Sequence, residues 1–275
     1  MKKNIEELNY SEFVGLINER NRPSGGIKTI QEVVVNARID RGSKVLEIGS
    51  NTGFTSVNIS LLAGASVVGI DPHKPSIKLA TEYASSLGAD KVKFIEASAL
   101  NLPFEDNSFD IIWCSNVTSF IDDKHRAIYE YTRVLKPLGT LVIVPIYYRH
   151  KPPQHIIDEV SKAISCKIDV WDRDFWIRLF EKSAEANGVC LEKYYTKDYE
   201  YIDQGDRIDQ YIDFLMKKLP DEYSKQDLQS VRNRAKYFYE LFNENNYKYA
   251  GYSTILMQKR LAADEPELFL SKEAV

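Results

Sequence analysis

The densest chemical information lies in Val45-Leu46-Glu47-Ile48-Gly49-Ser50-Asn51-Thr52-Gly53-Phe54-Thr55. An apolar, β-branched run enters a turn holding Gly49 and Gly53, and a helix-forming stretch follows. Glycine lets backbone come close to a ligand, and a helix start presents N–H groups that have no partner of their own. A dinucleotide fingerprint wants glycine at 49, 51 and 54, and Phe54 opposes it. No Gly-Lys-Ser/Thr follows, which disfavours a phosphate cradle of the nucleotide-hydrolase kind. Asp71 closes the next apolar run, Val67-Val68-Gly69-Ile70-Asp71. An acid at that strand end can accept two hydrogen bonds from ribose hydroxyls. Alone it would read as a cap for the next segment; its spacing from the glycine turn favours the ligand role.

These residues need a scaffold, and the surrounding pattern describes one. Short apolar runs at 44–48, 66–70, 92–95, 109–114 and 140–144 fit strands buried on both faces. Helix-like stretches at 53–63, 75–87 and 122–135 lie between most of them. Strand alternating with helix predicts an α/β fold, a parallel sheet with helices on both faces. Two helices are expected before it, over 4–20 and 27–39. Beyond residue 145 the spacing predicts helices at 154–165, 171–187, 207–219 and 225–244, with strands at 189–200 and 251–259. The chain therefore divides into an N-terminal helical cover (1–39), a cofactor-binding core (40–145), the rest of the core with helical insertions (146–261) and a loosely held tail (262–275).

Composition narrows the partners. The 275 residues are long for one minimal domain and short for two, and 44% hydrophobic content is ample for a core. The net charge of −4, with scattered lysines and arginines, offers no basic stripe for nucleic acid. No apolar stretch approaches a membrane span, and the first residues do not read as a secretory signal. Cys114, Cys166 and Cys190 are far apart and suit free thiols in a reducing cytosol. His150 and His155 flank Lys151-Pro152-Pro153-Gln154, where prolines spoil a helical metal pair; no metal is expected. His73 and His125 read as surface residues.

Taken together, the motifs resemble the class I S-adenosylmethionine-dependent methyltransferases, especially their small-molecule branch. Residues 47–53 match the family's first motif, acidic-x-Gly-x-Gly-x-Gly, and Asp71 matches its ribose-binding acid. Residues 101–110, from Asn101-Leu102-Pro103-Phe104 to Ser108-Phe109-Asp110, look like its "LPF-x-D-x-SFD" stretch. Arg133-Val134-Leu135-Lys136-Pro137-Leu138-Gly139 looks like its "LKPGG" turn. The match covers about residues 40–145 in the right order. It implies a doubly wound, mostly parallel seven-stranded Rossmann-like sheet, with the N-terminal helices and helical insertions as a lid. It implies S-adenosylmethionine as cofactor, held by Glu47, Gly49, Ser50, Asn51, Gly53, Phe54, Thr55, Asp71, Pro72, Ser98, Ala99, Ser115 and Asn116. Asn51 replaces the middle glycine, but asparagine tolerates left-handed backbone. Ser98 stands where the family often has an acid near the adenine, and Leu138 replaces a turn glycine.

The turn after strand four faces the methyl group in this family, so Asn116 would orient the acceptor and Phe120 would wall it; core packing and a turn are their plain alternatives. Pro145-Ile146-Tyr147-Tyr148-Arg149-His150 follows strand five at the ligand-binding edge. Tyr147, Tyr148 and His150 are the candidates for a base, and Tyr147 also for substrate contact. Tyr10 and Phe13 are expected in an aromatic cover that excludes water. The chain is thus read as a cytoplasmic enzyme, monomer or homodimer, that methylates N or O of a small molecule such as a natural product or sugar. The alternatives are a peptide or protein methyltransferase, an S-adenosylmethionine-binding protein without transfer activity and, outermost, an NAD-dependent oxidoreductase.

Overall fold

The computed structural model describes residues 4–219 and 223–260. The expected tail from Ala262 lies outside them. Five strands alternate with helices as the pattern predicts: β1 (Lys44–Ile48), β2 (Ser66–Asp71), β3 (Val92–Glu96), β4 (Phe109–Cys114) and β5 (Leu135–Ile143). They pair in parallel in the order β3-β2-β1-β4-β5. The order reverses between β1 and β4, and in open α/β sheets ligands gather at such a switch point, outside the carboxyl ends of the strands.

The far side is antiparallel. The long strand β8 (Ala250–Arg260) runs against β5, against β7 (Cys190–Glu200) and against a short strand, β6 (Ile146–Tyr148). The sheet thus has eight strands where seven were expected. The extra one continues the line of β5 after a break at Val144-Pro145, where proline has no N–H for the ladder. β5 also begins earlier than the apolar run suggested. Leu138, at φ 62° and exposed, interrupts it and marks the "LKPLG" turn.

Helices cover both faces. One apolar layer joins β1, β4 and β5 to α5 (Lys124–Val134) and α7 (Arg173–Glu185). The other packs β-strand residues under α2 (Ile27–Asn36) and α3 (Phe54–Ala63). α4 (Lys74–Ser86) lies over β2 and β3. A separate cluster unites the N-terminal helix α1 (Tyr10–Leu16) with α6 (Gln154–Ile164), α8 (Gly205–Met216) and α9 (Lys225–Tyr249). The single N-terminal helix expected over 4–20 is broken. A 3-10 turn, Ile5–Glu7, precedes α1, and Asn9 starts α1 afresh in a capping box with Glu12. Among the described residues no helix is long and apolar enough to cross a membrane.

Candidate active site at the carboxyl edge of the sheet

The turn between β1 and α3 is built for close approach. Gly49 and Gly53 hold φ of 72° and 83°, and Asn51 sits at 43°. A Cβ on Gly49 would come within 2.5 Å of Val117, and one on Gly53 within 2.7 Å of Phe94. Asn51 supplies the third left-handed position without a glycine, because its short side chain tolerates that region.

Gly53, the N-cap of α3, has no side chain to cap the helix. Glu47 does so from the neighbouring strand. Its carboxylate accepts from the Ser56 N–H at 2.9 Å and from Ser56 Oγ at 2.5 Å. Burial raises the Glu47 pKa from 4.5 to about 7, against the lowering effect of hydrogen bonds from Ser56 and Thr55. Glu47 and Thr55 are both buried beneath the turn. In that position Glu47 holds the helix start that the turn depends on.

Asp71 stands on the adjacent strand end. Its Oδ2 accepts from the Asn51 N–H at 3.0 Å and its Oδ1 from the His73 N–H at 2.9 Å. Burial raises its pKa, opposed by these two bonds. Asp71 thus caps both the glycine turn and the segment after β2. Each oxygen accepts from one backbone N–H. Pro72 is exposed beside it. At the end of β3, Ser98 Oγ accepts from the Leu100 N–H at 3.2 Å, which closes a tight turn with Ala99 inside it.

After β4, Ser115 leads to Asn116, which adopts left-handed backbone (φ 52°). Asn116 Oδ1 accepts from Ser119 Oγ at 2.9 Å and from the Ile146 N–H at 3.3 Å, and so ties the end of β4 to β6. Val117 follows and packs against Gly49. Phe120 is 49% exposed on the same 3-10 turn, which leaves it free to face a second molecule.

The three candidate bases do not converge. Tyr147 is buried in the apolar layer with Trp176 and Phe180. Tyr148 donates its hydroxyl to Asn245 Oδ1 at 3.2 Å on α9. His150 is exposed past the end of β6. Strand alternation sends Tyr147 and Tyr148 to opposite faces, so their closeness in sequence separates their side chains. Phe13 is also corrected. It is fully buried against Phe238, and Tyr10 packs edge-on to Phe238 and Phe242, so both belong to the core of the cover.

The cover nevertheless reaches the site, through residues the sequence did not single out. Thr52, inside the glycine turn, accepts from the Asn21 N–H at 3.1 Å and donates to the Glu19 carbonyl at 3.3 Å. Arg20 lies over the Tyr83 ring on α4 and Arg22 over Phe54. The Glu19 carboxylate accepts from the hydroxyls of Tyr211 on α8 and Tyr239 on α9. The stretch Asn21-Arg22-Pro23-Ser24-Gly25-Gly26, with a proline and two adjacent glycines, breaks the helix and marks a connection without saying what it crosses.

A cradle with two positive-φ glycines, a carboxylate at the neighbouring strand end and a helix start fits a nucleoside ligand. Comparison with known proteins agrees. Residues 46–143 match the family described as "Methyltransferase domain". An uncharacterised protein of Haemophilus influenzae is 30% identical over 185 residues, 66% of this chain and 73% of that protein. The "Uncharacterized methyltransferase YcgJ" of Bacillus subtilis is 34% identical over 116 residues, 42% of this chain and only 44% of its own length. The crystal structure of MccD protein superposes with a TM-score of 0.71 at 26% identity, over 87% of this chain and all of that one. The glycine turn, the strand-end acid, the switch point between β1 and β4 and these likenesses lead to one conclusion: the chain belongs to the class I S-adenosylmethionine-dependent methyltransferases.

Proposed function

We propose that this enzyme moves the methyl group to a nitrogen or oxygen atom of a small molecule, a natural product or sugar among the candidates. The observation that carries the reading is the seal between cover and cofactor turn: Asn21 and Glu19 bond Thr52 by backbone, while Glu19 is held from above by α8 and α9. A covered edge suits a small acceptor better than a polypeptide or a nucleic acid, and the net charge of −4 does not favour the latter.

Bound S-adenosylmethionine supplies an electrophilic methyl on a sulfonium, so the protein's task is binding, alignment and exclusion of water. Asp71 would accept from the ribose hydroxyls while it fixes the turn through Asn51. Ser98 and Ala99 would lie beside the adenine. Asn116, locked by Ser119 and Ile146, presents its remaining amide surface at the end of β4. Phe120 would wall the acceptor. No step in this reading needs Tyr147, Tyr148 or His150 to act together.

The test is transfer of labelled methyl from S-adenosylmethionine by the full chain to three pools: small metabolites, total protein and RNA. Label in the small-molecule pool, located on N or O by NMR of the product, is the expected result. Label confined to protein or RNA, or a new methyl on carbon, overturns it.

A further inference from the structure

Among the described residues two glutamates are each gripped by two tyrosine hydroxyls, and they differ in one respect. Glu32 on α2 accepts from Tyr195 and Tyr199 of β7, and Lys197 Nζ lies 3.9 Å from its carboxylate. Glu19 accepts from Tyr211 on one oxygen and Tyr239 on the other. Among the described residues no lysine or arginine pairs with it. Its sequence neighbours Arg20 and Arg22 lie over the rings of Tyr83 and Phe54, and the charge of Arg22 reaches the Tyr211 hydroxyl without an ion pair to Glu19.

A half-buried carboxylate among aromatic rings is costly without a counter-charge. Here the tyrosines satisfy one lone pair of each oxygen, and each oxygen has a second. Tyr211 and Tyr239 lie edge to face, with ring centroids 5.4 Å apart, beside Tyr10. Rings around a carboxylate attract ammonium groups through both the charge and the ring faces.

Position adds the rest. Glu19 is bonded by its own carbonyl to Thr52 in the cofactor turn. Tyr239 lies on the same helix as Asn245, which holds the Tyr148 hydroxyl at the end of β6. Glu19 therefore stands over the carboxyl edge, between the cofactor turn and the far side of the cover. We propose that Glu19, presented by Tyr211 and Tyr239, anchors a protonated amine of the methyl acceptor, a group that stays charged and is distinct from the atom that takes the methyl, so that acceptors of this enzyme are cationic amines. The proposal rests on the methyl-transfer reading above and narrows its substrate class.

The test uses the full chain in the presence of S-adenosylhomocysteine. Calorimetry measures the binding of ethylamine, dimethylamine and benzylamine at pH 7 against ethanol, dimethyl ether and benzyl alcohol. At least one amine should bind with its uncharged counterpart silent. Glu19→Gln should weaken that amine at least 10-fold, with S-adenosylhomocysteine affinity held within twofold. Tyr239→Phe should weaken it about threefold, and serves alone if the glutamine variant does not fold. Failure of all three amines, or amine binding indifferent to both variants, overturns the proposal. So does an equal loss of S-adenosylhomocysteine affinity in Glu19→Gln, because the carboxylate would then serve the cofactor's own ammonium. A wild-type chain that binds no S-adenosylhomocysteine at all refutes instead the reading beneath it.

Discussion

Two carboxylates on neighbouring strands show how environment divides similar residues. Asp71 is half-buried with one backbone bond on each oxygen, whereas Glu47 is fully enclosed. Replacing Asp71 by alanine should weaken S-adenosylhomocysteine by about 1–3 kcal/mol, the scale for lost charged hydrogen bonds. Calorimetry on the folded variant measures it, and unchanged affinity would reduce Asp71 to a cap for Asn51 and His73. Glu47 has its pKa raised to about 7 by burial, so the folded chain holds that proton more tightly than the unfolded one. Its contribution to stability is complete below the unfolded value near 4.5 and is lost as pH rises through about 7. Glu47→Gln should remove that dependence. Between pH 5 and 8 the variant's urea stability should fall by roughly 2–4 kcal/mol less than the wild type's. Parallel pH profiles would show that Glu47 is already ionised at neutral pH.

Among the elements, the β1–α3 turn is the one whose geometry is fixed by neighbours. Gly49 has left-handed backbone and faces Val117, so Gly49→Ala combines strain with a clash at 2.5 Å. It should destabilise the chain by about 1–3 kcal/mol. Val117→Ala opens the space but not the dihedral, so the double variant should recover only part of the loss. Thermal melting of the four proteins measures the coupling, and strict additivity would mean that Val117 does not press on the turn. The same turn shows why the motif was legible. Gly49, Asn51 and Gly53 act through their own backbone, a local property that spacing reveals. Glu47 has the type and the spacing of a ligand-binding acid, yet burial under Thr55 and Ser56 gives it a helix to hold.

Over the whole molecule, the cover and the cofactor turn meet at Thr52. Thr52→Val removes its hydrogen bonds to Asn21 and Glu19. Each is a net contribution of about 1 kcal/mol. Amide exchange in residues 17–24 should therefore accelerate, while the sheet strands keep their protection. Deleting residues 1–20 is the harsher form. It strips Leu8, Phe13 and Ile17 from the cluster with Ile212 and Phe238, and it removes Glu19. Turnover should collapse while strands β1 to β5 stay protected. Full activity in the truncated chain would place the cover outside the reaction.

The sequence by itself determined the strand and helix order, the glycine turn, Asp71 and the family, because each is written in a short window whose period or motif has a direct physical reading. Even its errors were local in origin. The break at Pro145 was visible, but that the chain resumes as β6 depends on β8, more than a hundred residues away. Tertiary structure decided what converges on the site. Glu19 meets Thr52 across 33 residues, Tyr211 across 192 and Tyr239 across 220. No periodicity links them, since each tyrosine looks like any core aromatic on its own helix. Only the packing of α1, α8 and α9 into one cluster turns their hydroxyls onto a single carboxylate, and it does so because burying their apolar faces together is what holds the cover in place.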